Sequence, residues 1–222
     1  IRRQRQMCIR DRIIGDDGES DYIVTGGAGA TQECWLARIE GANGSVMWET
    51  ILDEPGNNWE FDGLRSAMVG DDGYIYASGF TGGDEPNTVF VVFAGTETVV
   101  KANPVNGEIE WTSLLPASEY GLATVQDTNG HLYTAGVMYD EGWCITKRSV
   151  EGEVLWTTFL EATTEIYPYD LAISEDDRLY YGGHRGREGA GDPFDYSCAA
   201  LETNGELIWL NHYANPRGYS LS

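Results

Sequence analysis

Asn43-Gly44-Ser45-Val46-Met47-Trp48 returns in pattern at Asn106-Gly107-Glu108-Ile109-Glu110-Trp111, at Glu151-Gly152-Glu153-Val154-Leu155-Trp156 and at Asn204-Gly205-Glu206-Leu207-Ile208-Trp209. Gly-x-x-x-Trp with an aliphatic residue two after the glycine thus occurs four times in register. The tryptophans lie 63, 45 and 53 residues apart, as in a repeat of about fifty residues with loops of variable length. Each motif reads as a hairpin turn followed by a strand. Asn-Gly supplies the positive φ a tight turn requires. Ile109, Trp111, Ser113 and Leu115 alternate with Glu110, Thr112 and Leu114, which is the period of a strand.

The flanking sequence repeats as well. A turn-rich acidic cluster (Asp71-Asp72-Gly73, Asp127-Thr128-Asn129-Gly130, Glu175-Asp176-Asp177, and a longer one from Asp16 to Asp21) precedes a short strand ending in small residues. Those endings are Val24-Thr25-Gly26-Gly27, Tyr76-Ala77-Ser78-Gly79, Tyr133-Thr134-Ala135-Gly136 and Tyr180-Tyr181-Gly182-Gly183. No helix-length 3.6 pattern is present. Each unit therefore reads as four antiparallel strands. One such sheet cannot cover both of its faces, whereas sheets stacked radially cover one another. The expected fold is all-β: a β-propeller fragment of about four consecutive four-stranded blades, at roughly 13–52, 64–116, 120–160 and 169–213. Trp48, Trp111, Trp156 and Trp209, with Gly44, Gly107, Gly152 and Gly205, form its structural repeat. The tryptophans are each expected to be largely buried between blades, with truncation of the outer two costing less than that of Trp111 and Trp156 because a terminal blade lacks one neighbour. Tyr219-Ser220-Leu221-Ser222 begins like the inner strands of the preceding units, so further blades of the same chain are an expected partner.

This repeat resembles the quinoprotein-like (PQQ-like) propeller repeats. That family shares the Gly-x-x-x-Trp outer strand and an inner hairpin seen here as Asp72-Gly73-Tyr74-Ile75-Tyr76-Ala77-Ser78-Gly79. The resemblance spans residues 13–222. In its dehydrogenases it implies a quinone cofactor on the ring axis with calcium, held by Asp, Glu and Asn, often beside a vicinal cysteine pair. This chain has no vicinal cysteines. Lys101-Ala102-Asn103-Pro104-Val105-Asn106-Gly107 is its nearest approach to the family's Ala-x-Asp-x-x-Thr-Gly consensus.

Residues 1–12 differ from everything that follows. They hold five of the 14 basic residues, and Arg2 to Asp11 resembles the in-frame translation of a sequencing-library adapter. They are expected to be unstructured and no part of the fold. A signal peptide would need an apolar stretch next, and Ile13-Ile14-Gly15-Asp16-Asp17 is not one.

The 222 residues carry 14 Lys+Arg against 36 Asp+Glu, for a net charge of −22. Without residues 1–12 the balance is 9 to 35, or −26. That excludes a nucleic-acid or anionic-lipid footprint, since both need a basic surface. No apolar run approaches the ~18 residues of a membrane span. The 41% hydrophobic content suffices for a packed core.

The chemistry-bearing residues are sparse. Cys34, Cys144 and Cys198 read as small buried residues near the middle of third strands, at equivalent positions that point away from one another; no C-x-x-C pair occurs. His131, His184 and His212 share no ligand spacing, with His131 at a strand start, His184 in a loop and His212 at the end of a Trp strand. The acidic turns Asp16-Asp17-Gly18, Asp71-Asp72-Gly73 and Asp176-Asp177 offer the hard oxygen ligands of calcium, but the same residues are what hairpin turns need. No cofactor is therefore assigned.

Binding is expected on the connections between second and third strands and between blades, because variable loops on a rigid scaffold carry recognition. The former are Ala28–Glu33, Thr81–Thr88, Val137–Gly142 with Tyr139, and His184–Asp195 with His184, Arg185 and Arg187. The latter are Asp53–Gly63 with Trp59, Pro116–Tyr120, Glu161–Tyr169 with Tyr167, and Ala214–Gly218. The arginines could grip an anionic group or merely offset neighbouring acids. Two functions remain open. One is a non-catalytic, extracytoplasmic binding or scaffold domain for protein or glycan; the other is part of a quinoprotein-like dehydrogenase or another propeller enzyme.

Overall fold

The computed structural model describes residues 12–16, 21–28, 34–52, 61–83, 95–115, 118–138, 142–161, 166–185 and 195–213. These form sixteen strands and no helix. Blade 1 contains β1 (Arg12–Asp16), β2 (Asp21–Ala28), β3 (Cys34–Glu40) and β4 (Val46–Leu52). Blade 2 contains β5 (Phe61–Val69), β6 (Ile75–Gly83), β7 (Thr96–Ala102) and β8 (Ile109–Leu115). Blade 3 contains β9 (Ser118–Gln126), β10 (Leu132–Met138), β11 (Gly142–Arg148) and β12 (Val154–Glu161). Blade 4 contains β13 (Ile166–Ile173), β14 (Arg178–Arg185), β15 (Asp195–Glu202) and β16 (Leu207–Tyr213). In every blade the strands lie in sequence order and pair antiparallel. The chain is all-β, with four consecutive four-stranded propeller blades.

Both hairpin turns of a blade fall at one end, and the second-to-third and inter-blade connections fall at the other. The hairpins close as their sequences require. In blades 3 and 4 the Trp-strand turns are three-residue loops, in which the Gly152 and Gly205 amides bond back to the Ser149 and Glu202 carbonyls. The glycines sit at φ +86° and +90°, the left-handed position that such loops place third. Asp177 takes the same conformation, at φ 56°, where blades 2 and 3 have Gly73 and Gly130. Asp tolerates the left-handed region better than most residues.

The core is a series of layers between consecutive blades. Cys34, Leu36 and Trp48 of blade 1 pack on Leu64, Ile75, Ala77 and Val100 of blade 2. Tyr133, Ala135, Trp143 and Ile145 of blade 3 pack on Leu171, Leu179, Tyr181 and Leu201 of blade 4. Between blades 2 and 3 the apolar layer is smaller, built on Tyr76, Val99 and Leu132, and hydrogen-bonded polar groups share it. Arg148 Nη1 meets Glu97 Oε1 at 2.8 Å with both side chains fully buried. Thr134 donates to the same Glu97 oxygen at 2.6 Å, and Arg148 Nε donates to Ser113 at 3.1 Å. Nearby, Thr124 donates its amide to Ser66 and its hydroxyl to Ser78.

Several expectations need correction. Arg12 opens β1 opposite Thr25, so it belongs to the fold; residues 1–11 lie outside the described residues, as do 214–222. The cysteines are not at equivalent positions. Cys34 is the first residue of β3, and Cys34, Cys144 and Cys198 face Ala28, Gly136 and Gly182, three successive levels of the blade. None is in a disulfide. The strand pairing also runs past the glycines expected to end it, which places His184 and Arg185 in β14 and Tyr167 in β13 rather than in loops.

Candidate functional site

Two places in the molecule bring together residues of functional interest, and they lie at opposite ends of the blades. The turn end carries the repeated glycine and tryptophan. Each Trp is on the face its blade turns toward the next, the forward face. Trp48 covers Gly107 so closely that a Cβ there would come within 2.5 Å of the ring; for Gly152 under Trp111 the distance is 2.8 Å. Trp156 lies over Gly205, with Thr158 beside it. The Trp48 indole N–H donates to the Pro104 carbonyl at 2.9 Å, and that of Trp111 to Val150 at 3.2 Å. Two residues on, Thr50 and Thr158 donate to the carbonyls of Gly107 and Gly205. The glycine therefore does more than permit a turn. It lets the preceding blade's indole rest on bare backbone and saturate it.

The cross-strand partner of each Trp completes the contact. Arg38, Lys101 and Lys147 stand opposite Trp48, Trp111 and Trp156. Arg38 donates to Pro104 at 2.7 Å, and Lys147 donates to Thr203 at 3.2 Å. Lys101 instead ion-pairs with Asp72 at 2.8 Å and lies over the Tyr74 and Tyr76 rings. Blade 4 has Ala200 at this position. Trp48, Trp111 and Trp156 are half-buried, whereas Trp209, with no blade in front of it among the described residues, is 38% exposed. The expectation that all four would be largely buried is corrected accordingly. Trp48, at the other end of the series, falls in the same burial class as Trp111 and Trp156.

The acidic turns spend their oxygens within the fold. Asp127 accepts from the Tyr133 hydroxyl at 2.8 Å and from the amides of Asn129 and His131, and lies 3.6 Å from Lys147 Nζ. Burial pushes the Asp127 carboxyl up, but the Tyr133 and His131 hydrogen bonds outweigh it and hold the group below the ordinary carboxylate range. The Tyr133 hydroxyl is driven up, first by burial and then by that same carboxylate. Asp72 follows the same pattern: burial raises it, and bonds from Lys101, Tyr76 and the Tyr74 amide lower it further. Asp177 accepts from the Thr128 amide and hydroxyl of the preceding blade. Among the described residues, no three His, Cys, Asp or Glu side chains group as metal ligands.

The loop end holds three of the residues chosen from sequence. Tyr167 stands opposite His184, and Ile166 opposite Arg185, across β13 and β14. Arg185 in turn faces Asp195, and His184 faces Tyr196. Three of the six candidates thus come to adjacent register positions at one corner of blade 4. Trp59, Tyr139 and Arg187 lie outside the described residues. Sequence reasoning missed Tyr196 and Tyr213, which pair with each other and are 40% and 53% exposed. Their only signal was aromatic residues at the ends of strands.

No family model and no curated protein matches this chain. Solved structures do. Hydrazine synthase of Kuenenia stuttgartiensis is similar over 92% of this chain at 11% identity, with a TM-score of 0.61. The putative exo-β-1,3-galactanase of Bifidobacterium bifidum s17 is similar over 94% at 14% identity, with a TM-score of 0.53. This chain spans 49% of the hydrazine synthase chain and 72% of the galactanase chain. At such identities the likeness lies in the fold alone, and it places the four blades among propeller-like structures.

Proposed function

We propose that the chain is a non-catalytic propeller module, a binding or scaffold domain that takes a protein or glycan ligand at the loop end, with Tyr167, His184 and Arg185 as its described contributors. The observation that supports this reading is their register: three residues suited to recognition meet at the corner where the variable connections emerge. Elsewhere, the Asp, Lys and Arg groups described above are engaged in contacts within a blade, as Asp72 and Asp127 are, or between blades, as Arg38, Lys147 and Arg148 are. In a chain of net charge −22, Arg185 beside His184 and near Arg187 in sequence favours a ligand bearing carboxylates, which match the guanidinium fork. The reading calls for no cofactor. On the Gly-x-x-x-Trp and Asp72–Gly79 signatures we also assign the repeat to the quinoprotein-like group, and on its foreign composition we assign Arg2 to Asp11 to a translated adapter.

Calorimetric titration with uronate oligosaccharides, neutral oligosaccharides and acidic peptides tests the function. A carboxylate-bearing ligand should bind, and Arg185→Ala should weaken it roughly tenfold or more, as loss of a charge-assisted bond does. Binding of no ligand, or equal binding by the variant, would sink the reading.

A further inference from the structure

We propose that the plane between blades 2 and 3 is a hinge, and that it loosens as salt is withdrawn. The same three positions face one another across each blade interface, and only here are all three polar. Glu97 pairs with Phe80 as Trp143 pairs with Val137 and Cys34 with Ala28. Thr134 follows Tyr133 as Ala77 follows Tyr76 and Tyr181 follows Tyr180. Arg148 pairs with Leu132 as Ala102 pairs with Ile75 and Leu201 with Leu179. Between blades 1 and 2 the three are therefore Cys34, Ala77 and Ala102, inside an apolar cluster. Between blades 3 and 4 they are Trp143, Tyr181 and Leu201, inside another. The Trp143 and Tyr181 ring centroids lie 4.5 Å apart, whereas Glu97 accepts hydrogen bonds from Thr134 and Arg148.

Parting an apolar layer exposes area that water disfavours. Parting an ion pair returns both charges to water, so its net cost is small, although removing one partner alone is expensive. When closed, the interface also leaves Arg148 Nη2 buried without a hydrogen-bond partner, a donor that opening satisfies. The contact of Trp111 with Gly152 across this plane has a counterpart at each of the other two interfaces, so it does not offset the difference. The charge acts in the same direction. Residues 12–115 carry 4 Lys+Arg against 18 Asp+Glu, or −14, and residues 118–213 carry 5 against 17, or −12. The plane thus divides two acidic halves of nearly equal charge, which repel across it. Salt screens exposed charges, with a Debye length of about 30 Å at 0.01 M and about 3 Å at 1 M, and screens the buried pair far less. Low ionic strength therefore favours opening, with the halves still joined through the chain from Leu115 to Ser118.

Iodoacetamide labelling of the full native chain, with each cysteine read by peptide mass spectrometry, tests the hinge. Cys34 and Cys144 are both fully buried. Cys34 packs between blades 1 and 2. Cys144 alternates with Trp143 and Ile145, which face blade 4, and so faces blade 2. Rates are normalised to those of the urea-unfolded chain, which removes differences in intrinsic reactivity. At about 0.01 M NaCl, Cys144 should label roughly tenfold faster than Cys34 or more, because a sub-global opening costs less than global unfolding. Raising NaCl to about 1 M should remove most of that excess. Ala199→Cys places a thiol between blades 3 and 4, and it should behave as Cys34 does. Val99→Cys, on the blade 2 side of the plane, should share the salt dependence of Cys144, which distinguishes opening of the plane from movement around Cys144 alone. Equal normalised rates at all four positions would mean that only global unfolding exposes them, and would overturn the hinge. So would a Cys144 excess that Val99→Cys does not share. An excess at both positions that salt leaves unchanged would overturn the electrostatic control.

Discussion

Tyr76 and Tyr180 hold the same position of the second strand in blades 2 and 4, as Trp111 and Trp209 do in the fourth. Tyr76 is fully buried beneath blade 3, with its ring 6.0 Å from that of Trp111, whereas Tyr180 is 39% and Trp209 38% exposed. The two blades have the same strand order and differ inside in the length of the Trp-strand turn and in Lys101 against Ala200, but it is blade 3 that lies over Tyr76. Burial in this molecule is a property of a pair of blades, supplied by whichever backbone the next blade lays across the aromatic row. That is nearest-neighbour behaviour, in which each interface adds its own contribution.

The interfaces are not all built alike. Among the described residues the layer between blades 2 and 3 has the fewest buried apolar side chains and compensates with the Glu97–Arg148 pair, in which Arg148 Nη1 also meets Thr134, Nε meets Ser113 and Nη2 is left buried without a hydrogen-bond partner. Glu97→Ala should therefore do more damage than the loss of any one of the half-buried repeat tryptophans. It strands a guanidinium with no solvent access, and breaking such a pair costs about 3–5 kcal/mol. The double variant Glu97→Leu with Arg148→Met should recover most of that loss, because an apolar pair of similar volume removes the desolvation penalty as well. Urea denaturation of the single and double variants measures both. A double variant no more stable than Glu97→Ala would show that the polar layer is needed for reasons beyond charge compensation.

Trp48→Ala comes next. Trp48 belongs to the first blade but has a neighbour in front of it, so its loss should resemble that of Trp111→Ala. Each should cost roughly 2–3 kcal/mol, somewhat below the 3–5 typical of fully buried aromatics, since both rings are only half-buried. If Trp48→Ala were nearly silent in urea denaturation while Trp111→Ala was not, position in the series would matter more than the forward neighbour.

The sequence made some of these features legible and hid others. Four copies of Gly-x-x-x-Trp revealed the blades, and alternation in Ile109–Leu115 revealed which residues face the next one. The partner of each glycine was not readable, because Trp48 and Gly107 belong to different units and meet only when the sheets stack. Glu97 and Arg148 were invisible for the same reason, being separated by two turns and two loops. At the loop end, the small residues Gly182-Gly183 suggested that β14 stops there. Pairing with β13 and β15 carries it on to Arg185, because a ladder that continues on both sides outweighs the low strand propensity of glycine. Thus the neighbourhood proposed for binding was legible only in part: Tyr167, His184 and Arg185 adjoin, but as strand residues.

Trp209→Ala should have the smallest effect, and that smallness is informative. In the dilute monomer the indole follows the same glycine and stands in an intact strand pair, though opposite Ala200 where its counterparts face Arg38, Lys101 and Lys147. What it lacks is a glycine turn in front. Truncation then removes a ring already 38% exposed and leaves no cavity between packed sheets, so the cost should stay under about 1 kcal/mol, as surface substitutions do. Urea denaturation at low salt and low concentration, where like charges keep chains apart, measures this value against Trp48→Ala. A large effect in the dilute monomer would mean that the indole stabilises blade 4 from within, and the opposition between blades 2 and 4 would lose its physical basis.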